Sequence, residues 1–166
     1  MKHGAYLALG ANLGEREQTL ERAIEALSTV VDLKKVSSFY QTSPVDSSGP
    51  DYVNAVVWVE TTLSANELLR CCQRIEQQFG RVRPVGVHNA PRTLDIDVLT
   101  YDNVTSTDPQ LTLPHPRMTE RLFVMVPLAE IDPTWQAPNG RGIAELIAEI
   151  REHDPSQQIE RCAPSE

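Results

Sequence analysis

The stretch that most constrains the fold is Arg92-Thr-Leu-Asp95-Ile-Asp97-Val-Leu99, in which polar and apolar residues alternate. A period of two is the pattern of a strand with one buried and one open face. Leu94, Ile96 and Val98 then turn to a core, while Asp95 and Asp97 project together, about 7 Å apart at Cα. Aspartate is depleted from strand interiors, so two on one face call for a cause. Hard cations such as Mg²⁺ are held by one or two carboxylates that leave coordination positions for phosphate oxygens. A solvated acidic sheet face is the competing explanation, and D-x-D spacing alone leaves the two evenly matched.

The surroundings favour the metal. Arg81, Arg83, His88 and Arg92 crowd the segment before the carboxylates, and His115, Arg117 and Arg121 form a second cationic group in a chain of formal charge -8. Paired metal ions and arginines neutralise a polyphosphate during phosphoryl transfer. Surface arginines partnering Glu76 or Glu120 would be the plainer explanation. The acidic total disfavours nucleic acid as a partner. No G-x-x-x-x-G-K-[ST] run is present, so phosphate contacts must come from side chains. There is no G-x-S-x-G, and His3, His88, His115 and His153 lack zinc-ligand spacing.

Upstream, residues 5–9 read as a buried strand, 10–14 as a turn and 17–30 as a helix with Leu20, Ala23, Ile24 and Leu27 on one side. Residues 33–40 and 52–61 are β-rich and separated by a loop dense in turn formers at 43–50. Ser64 with Glu67 makes a capping box for a helix over 65–79, ended by Gly80. A second loop, 81–91, precedes the strand at 93–101. This order predicts an α+β, ferredoxin-like domain with a largely antiparallel sheet. Residues 102–116 read as turns, 123–128 as an apolar stretch and 142–152 as a final helix. One domain over 1–155 is expected, with a poorly ordered tail at 156–166. No apolar run approaches the roughly 20 residues of a membrane helix. Cys71, Cys72 and Cys162 make no disulfide framework, which suits a cytoplasmic protein.

Tyr52 and Asn54 are two apart and share a strand face. A ring to stack on and an amide to hydrogen-bond suit a flat heterocycle, although aromatics are common in strands for packing alone.

With these residues assembled, the chain resembles the 6-hydroxymethyl-7,8-dihydropterin pyrophosphokinase family over nearly its whole length. The blocks run from Leu9-Gly-Ala-Asn-Leu-Gly14 through Ser37-Ser-Phe-Tyr-Gln-Thr42, Asp51-Tyr-Val-Asn-Ala55, Gln73-Arg-Ile-Glu76 and Gly80-Arg-Val-Arg83. They continue in Ala90-Pro-Arg-Thr-Leu-Asp-Ile-Asp97, Leu113-Pro-His115 and Arg121-Leu-Phe123. The resemblance implies pyrophosphate transfer from ATP to the pterin hydroxymethyl group, with Asp95 and Asp97 holding two Mg²⁺ ions and Arg81 and Arg92 on the phosphates. It places Tyr52 and Phe123 against the pterin faces, and Asn54 with the backbone around Thr42 and Val45 at the pterin edge. Gln73, Glu76, Arg83, Thr112, His115 and Arg121 would line the ATP site, with Val98 contributing its backbone. The loops at 43–50 and 81–91 would close over the substrates. No side chain stands out as general base; metal coordination of the alcohol or Asp97 would serve. The partners expected are these small molecules, met by a monomer.

The chain departs from the family pattern at Asn89 and Ala90, where an aromatic followed by glycine is usual. His88 stands where arginine is frequent, and Pro116 where tyrosine is. Two other classes stay open: a pterin- or nucleotide-binding module without turnover, and a metal-dependent phosphohydrolase.

Overall fold

The computed structural model describes residues 2–11, 16–42, 52–79 and 94–162. The first strand, β1 (His3–Ala11), runs through Gly10 and Ala11, two residues expected in a turn. It is covered on both faces. Ala5, Leu7, Leu9 and Ala11 join one apolar cluster, while Ala8 joins a second on the opposite side, as strand alternation requires.

The first cluster lies under two helices. In α1 (Arg16–Ser28) Leu20, Ala23 and Leu27 are buried, and in α2 (Ala65–Gln78) Leu68, Cys72, Ile75 and Glu76. The capping box at α2 forms as its sequence predicts, with Glu67 N donating to Ser64 Oγ and Ser64 N to Glu67 Oε1.

The β-rich run at 33–40 is two strands rather than one. Between β2 (Asp32–Val36) and β3 (Tyr40–Thr42) the chain breaks at buried Ser37. Ser37 N donates to the Val56 carbonyl and its Oγ accepts from Val56 N, so a side chain takes one ladder position. Both strands pair antiparallel with β4 (Tyr52–Thr61), which also pairs antiparallel with β1. On its other side β1 pairs antiparallel with β5 (Asp95–Tyr101). The fold is α+β and ferredoxin-like.

Residues 102–116, expected as turns, contain a short hairpin of β6 (Ser106–Asp108) and β7 (Leu111–Leu113). The apolar stretch at 123–128 is the middle of a helix, α3 (Leu122–Ile131), with Pro127 inside it. Its unbroken apolar run shows no helical period, which hides it from pattern reading. With α4 (Ile143–His153) it builds the second cluster on the Ala8, Val56 and Leu99 face. The tail expected to be poorly ordered continues over its first part into β8 (Ile159–Arg161), which pairs antiparallel with β3. Pairing with the free edge of β3 supplies the order that its polar composition does not suggest.

Glu130 near the end of α3 fastens that helix to β3. Its carboxylate accepts from Ser38 N, Ser38 Oγ and the Tyr40 hydroxyl. Burial pushes the Glu130 pKa up, but the bonds from Tyr40 and Ser38 and the charge of Arg161 outweigh it and leave it below its ordinary value of 4.5. The Tyr40 hydroxyl is pushed up to about 12 by burial and by Glu130. Glu130→Ala is therefore expected to lose roughly 1–2 kcal/mol in urea unfolding, allowing for solvent screening of this exposed group. Because the folded value is depressed, the stabilisation is full above 4.5 and is lost as the pH falls from there through the folded value; the variant should lack that acid-side slope.

Candidate active site

On the α3 side of the sheet a cavity of about 240 Å³ opens over β1. Its floor is Ala8, Leu9 and Gly10, and its walls are Thr42, Tyr52, Asn54, Asp95, Asp97, Arg121 and Phe123. Seven residues from β3, β4, β5 and the start of α3 that the sequence marks for the site thus meet in one place. The volume falls below the roughly 300–1,000 Å³ of drug-sized pockets, so it suits one small ring rather than a ring plus a nucleotide.

The polar groups at the floor are fixed by pairing. Gly10 lies opposite Asn54 on β4 and Asp95 on β5, and Ala8 opposite Asp97. Asn54 is buried and its Nδ2 donates to Thr42 Oγ1 at 2.6 Å, which leaves Oδ1 as the acceptor. A Cβ added at Gly10 would come within 2.8 Å of that oxygen. A glycine inside a strand often marks such a close approach, and this is the signal by which Gly10 could have been found.

Leu94, Ile96 and Val98 are buried, as the alternation predicts, while Asp95 and Asp97 are only partly so. β5 ends the order of strands in its sheet, so alternate backbone groups point away from β1. Buried Glu76 of α2 accepts from the Ile96 amide at 2.9 Å on that edge. Val98, two residues on, turns its backbone the same way. At Leu99 the β1–β5 register shifts, and the Leu99 carbonyl accepts from His115 N at 2.8 Å. The bulge thereby anchors His115 beside the carboxylates, a common use of bulges near active sites.

Half-buried His115 has its Nδ1 accepting from Arg117 N at 3.2 Å, so the neutral ring carries its proton on Nε2. Burial pulls its pKa below the ordinary 6.5; the charges of Arg121 and Arg117 add to this, and Asp97 opposes it. Arg121 lies over the Phe123 ring, its Cζ 5.3 Å from the centroid, within range of a cation–π contact.

The other marked residues lie further out. Gln73 is exposed on α2. Thr112 is on β7, its Oγ1 donating to the Asp108 carbonyl. Arg81, Arg83, Arg92 and Val45, together with His88, Asn89, Ala90 and both loops, lie outside the described residues. Among the described residues, no group of three His, Cys, Asp or Glu side chains could hold an ion. A two-carboxylate site matches Mg²⁺, which completes its shell with water and substrate phosphate, and not structural zinc, which needs four protein ligands.

A carboxylate pair, a cation and an aromatic slot meet on a ferredoxin-like sheet, a set of groups compatible with phosphoryl transfer. A sequence model of the 7,8-dihydro-6-hydroxymethylpterin-pyrophosphokinase (HPPK) family matches residues 6–133, and the chain belongs to that family. Its reaction is pyrophosphoryl transfer to hydroxymethyldihydropterin in folate biosynthesis. The 2-amino-4-hydroxy-6-hydroxymethyldihydropteridine pyrophosphokinase of Haemophilus influenzae is 43% identical over 152 residues, 90% of this chain and 94% of that one. The Synechocystis protein of the same name is 40% identical over 151 residues, 89% and 76% of the two chains. The crystal structure of Plasmodium falciparum HPPK-DHPS shares the fold, with a TM-score of 0.77 at 14% identity, over 97% of this chain and 47% of that one.

Two outcomes are expected. Gly10→Ala should displace the Asn54 amide and weaken pterin binding about tenfold by calorimetry, the equivalent of one lost hydrogen bond, with far-UV circular dichroism unchanged. In an NMR titration of the metal-free protein, His115 should take up its proton below 6.5; a midpoint at or above that value would contradict the buried neutral ring.

Proposed function

We propose that this chain transfers the pyrophosphoryl group of ATP to the hydroxymethyl oxygen of 6-hydroxymethyl-7,8-dihydropterin, releasing AMP, with Asp95 and Asp97 as the ligands of two Mg²⁺ ions. The observation that carries the reading is one cavity lined together by both carboxylates, the Tyr52 and Phe123 rings and the Asn54 amide. Tyr52 and Phe123 would take the two faces of the pterin. Asn54 Oδ1, held by its bond to Thr42, would accept from the heterocycle edge, so that the hydroxymethyl arm extends along the row toward Asp95.

The oxygen of that arm attacks the β-phosphorus of ATP, and the bond from that phosphorus to the α,β-bridging oxygen breaks, so AMP departs with the bridging oxygen. When bound, Mg²⁺ would neutralise phosphate charge and lower the pKa of the alcohol, whose proton would leave to solvent or to Asp97. Arg121, which lines the cavity with the carboxylates, and the Nε2–H of neutral His115, which feels the charge of Asp97, would meet phosphate oxygens; Gln73, Thr112 and the Val98 backbone would line the nucleotide. Glu76 serves the same site indirectly, by holding the Ile96 amide between the two aspartates. Arg81, Arg83 and Arg92 would complete the phosphate shell, and Val45 the pterin edge. We assign the activity to a monomeric, single-domain, cytoplasmic protein; no helix of the described residues is long and apolar enough to cross a membrane.

Incubation with ATP, Mg²⁺ and hydroxymethyldihydropterin should yield AMP and the pterin diphosphate. ADP as product, or ATP turnover without pterin, would exclude the reading. Asp97→Ala should lose activity by more than about a hundredfold, the scale of removing one electrostatic transition-state contact. It should keep its Tm, since the side chain lies outside both apolar clusters.

A further inference from the structure

We infer that Gln157, in the segment that follows α4, is a positioning residue for Arg121. The side-chain amide of Gln157 grips the peptide groups on either side of that arginine. Its Oε1 accepts from Leu122 N at 2.9 Å and its Nε2 donates to the Glu120 carbonyl at 2.9 Å. Arg121 is the N-cap of α3 but makes no side-chain cap bond, so the first helical amide would lack a partner without Gln157. The Arg121 carbonyl is engaged too, by Val124 N and Met125 N. With its backbone clamped before, at and after the residue, the side chain leaves from a fixed point to cover Phe123.

Gln157 is itself held. Its backbone N donates to the Asp154 carbonyl, and its Nε2 reaches Asp154 Oδ2. Two residues on, Ile159 pairs with Thr42, the partner of Asn54. The family match ends at residue 133, so Gln157 and β8 lie in a part of the chain that the match does not cover, yet they bond to the peptide groups flanking Arg121 and pair with Thr42, two residues that line the cavity. A long, freely rotating arginine loses entropy when it binds phosphate, and anchoring its backbone lowers that loss.

The inference rests on Arg121 as a phosphate ligand, and the test separates the two claims. Calorimetry would measure the Kd of a non-hydrolysable ATP analogue with Mg²⁺ for the wild type, Arg121→Ala, Gln157→Met and the double variant, each checked by thermal melt. Methionine keeps the length of glutamine and loses both bonds. Arg121→Ala should weaken binding by about tenfold or more and Gln157→Met by about fivefold, and the double variant should match Arg121→Ala alone. Gln157→Glu keeps the acceptor for Leu122 and loses the donor to Glu120, so it should fall between wild type and Gln157→Met. Wild-type affinity in folded Gln157→Met or Gln157→Glu, or a double variant showing the full product of the single effects, would overturn the inference. An unchanged Kd in Arg121→Ala would overturn the reading of Arg121 itself.

Discussion

Everything at this site depends on the pairing of β1 with a strand on each side. Asn54, Gly10 and Asp95 form one transverse row across three strands, and Val56, Ala8 and Asp97 the next. Two inter-strand spacings, about 10 Å, separate the amide from the first carboxylate, a span suited to a flat bicyclic ring and its arm. A slip of one residue in either pairing would throw the amide and carboxylates onto opposite faces. Leu7 and Leu9, wholly buried on the far face, hold that register. The interactions that stabilise the core are therefore the ones that set the distance between the Asn54 amide and the carboxylates, and on the proposed reading the distance between heterocycle and phosphate.

The charges are arranged so that the acidic row can accept more negative charge. Glu76 gives Oε2 to the Ile96 amide and is not among the residues that line the cavity. Burial first, and then the Glu76 charge, push the Cys72 thiol up to about 12, so it stays protonated and serves as packing. His115 stands near Asp97 in its neutral form, giving a donor without a full positive charge that would compete with a metal for the carboxylates. Arg121 supplies fixed charge, leaning on Phe123.

The sequence revealed those features whose cause is local. The alternation around Asp95 and Asp97 exposed the carboxylate face, and Ser64 with Glu67 exposed the start of α2 because a capping box closes within one turn. Tyr52 and Asn54 shared a face by strand period alone. What stayed hidden depends on distant partners. Gly10 is strand rather than turn because β4 and β5 hold it from both sides. Ser37 splits one apparent strand into two through a bond to Val56, 19 positions away. α3 has no polar face to betray a period, since its sides pack on the sheet and on α4. Gln157 carries no motif, and only the folded chain brings it to Arg121.

The two edges of the sheet are managed differently, and the difference follows from the placement of the site. An uncovered edge invites pairing with another chain. On the β3 side, β8 supplies a three-residue edge with charged Glu160 and Arg161 exposed, short and polar enough to resist further pairing. On the β5 side, Glu76 takes the Ile96 amide, and the next backbone groups along, at Val98, lie beside the carboxylates. Among the described residues a side chain rather than a strand caps this edge, which leaves an approach to the Val98 backbone next to the carboxylates, where the proposed nucleotide would lie. Covering β5 with a seventh strand would improve the sheet and close that approach, and a carboxylate from a helix caps the edge at a single point without doing so.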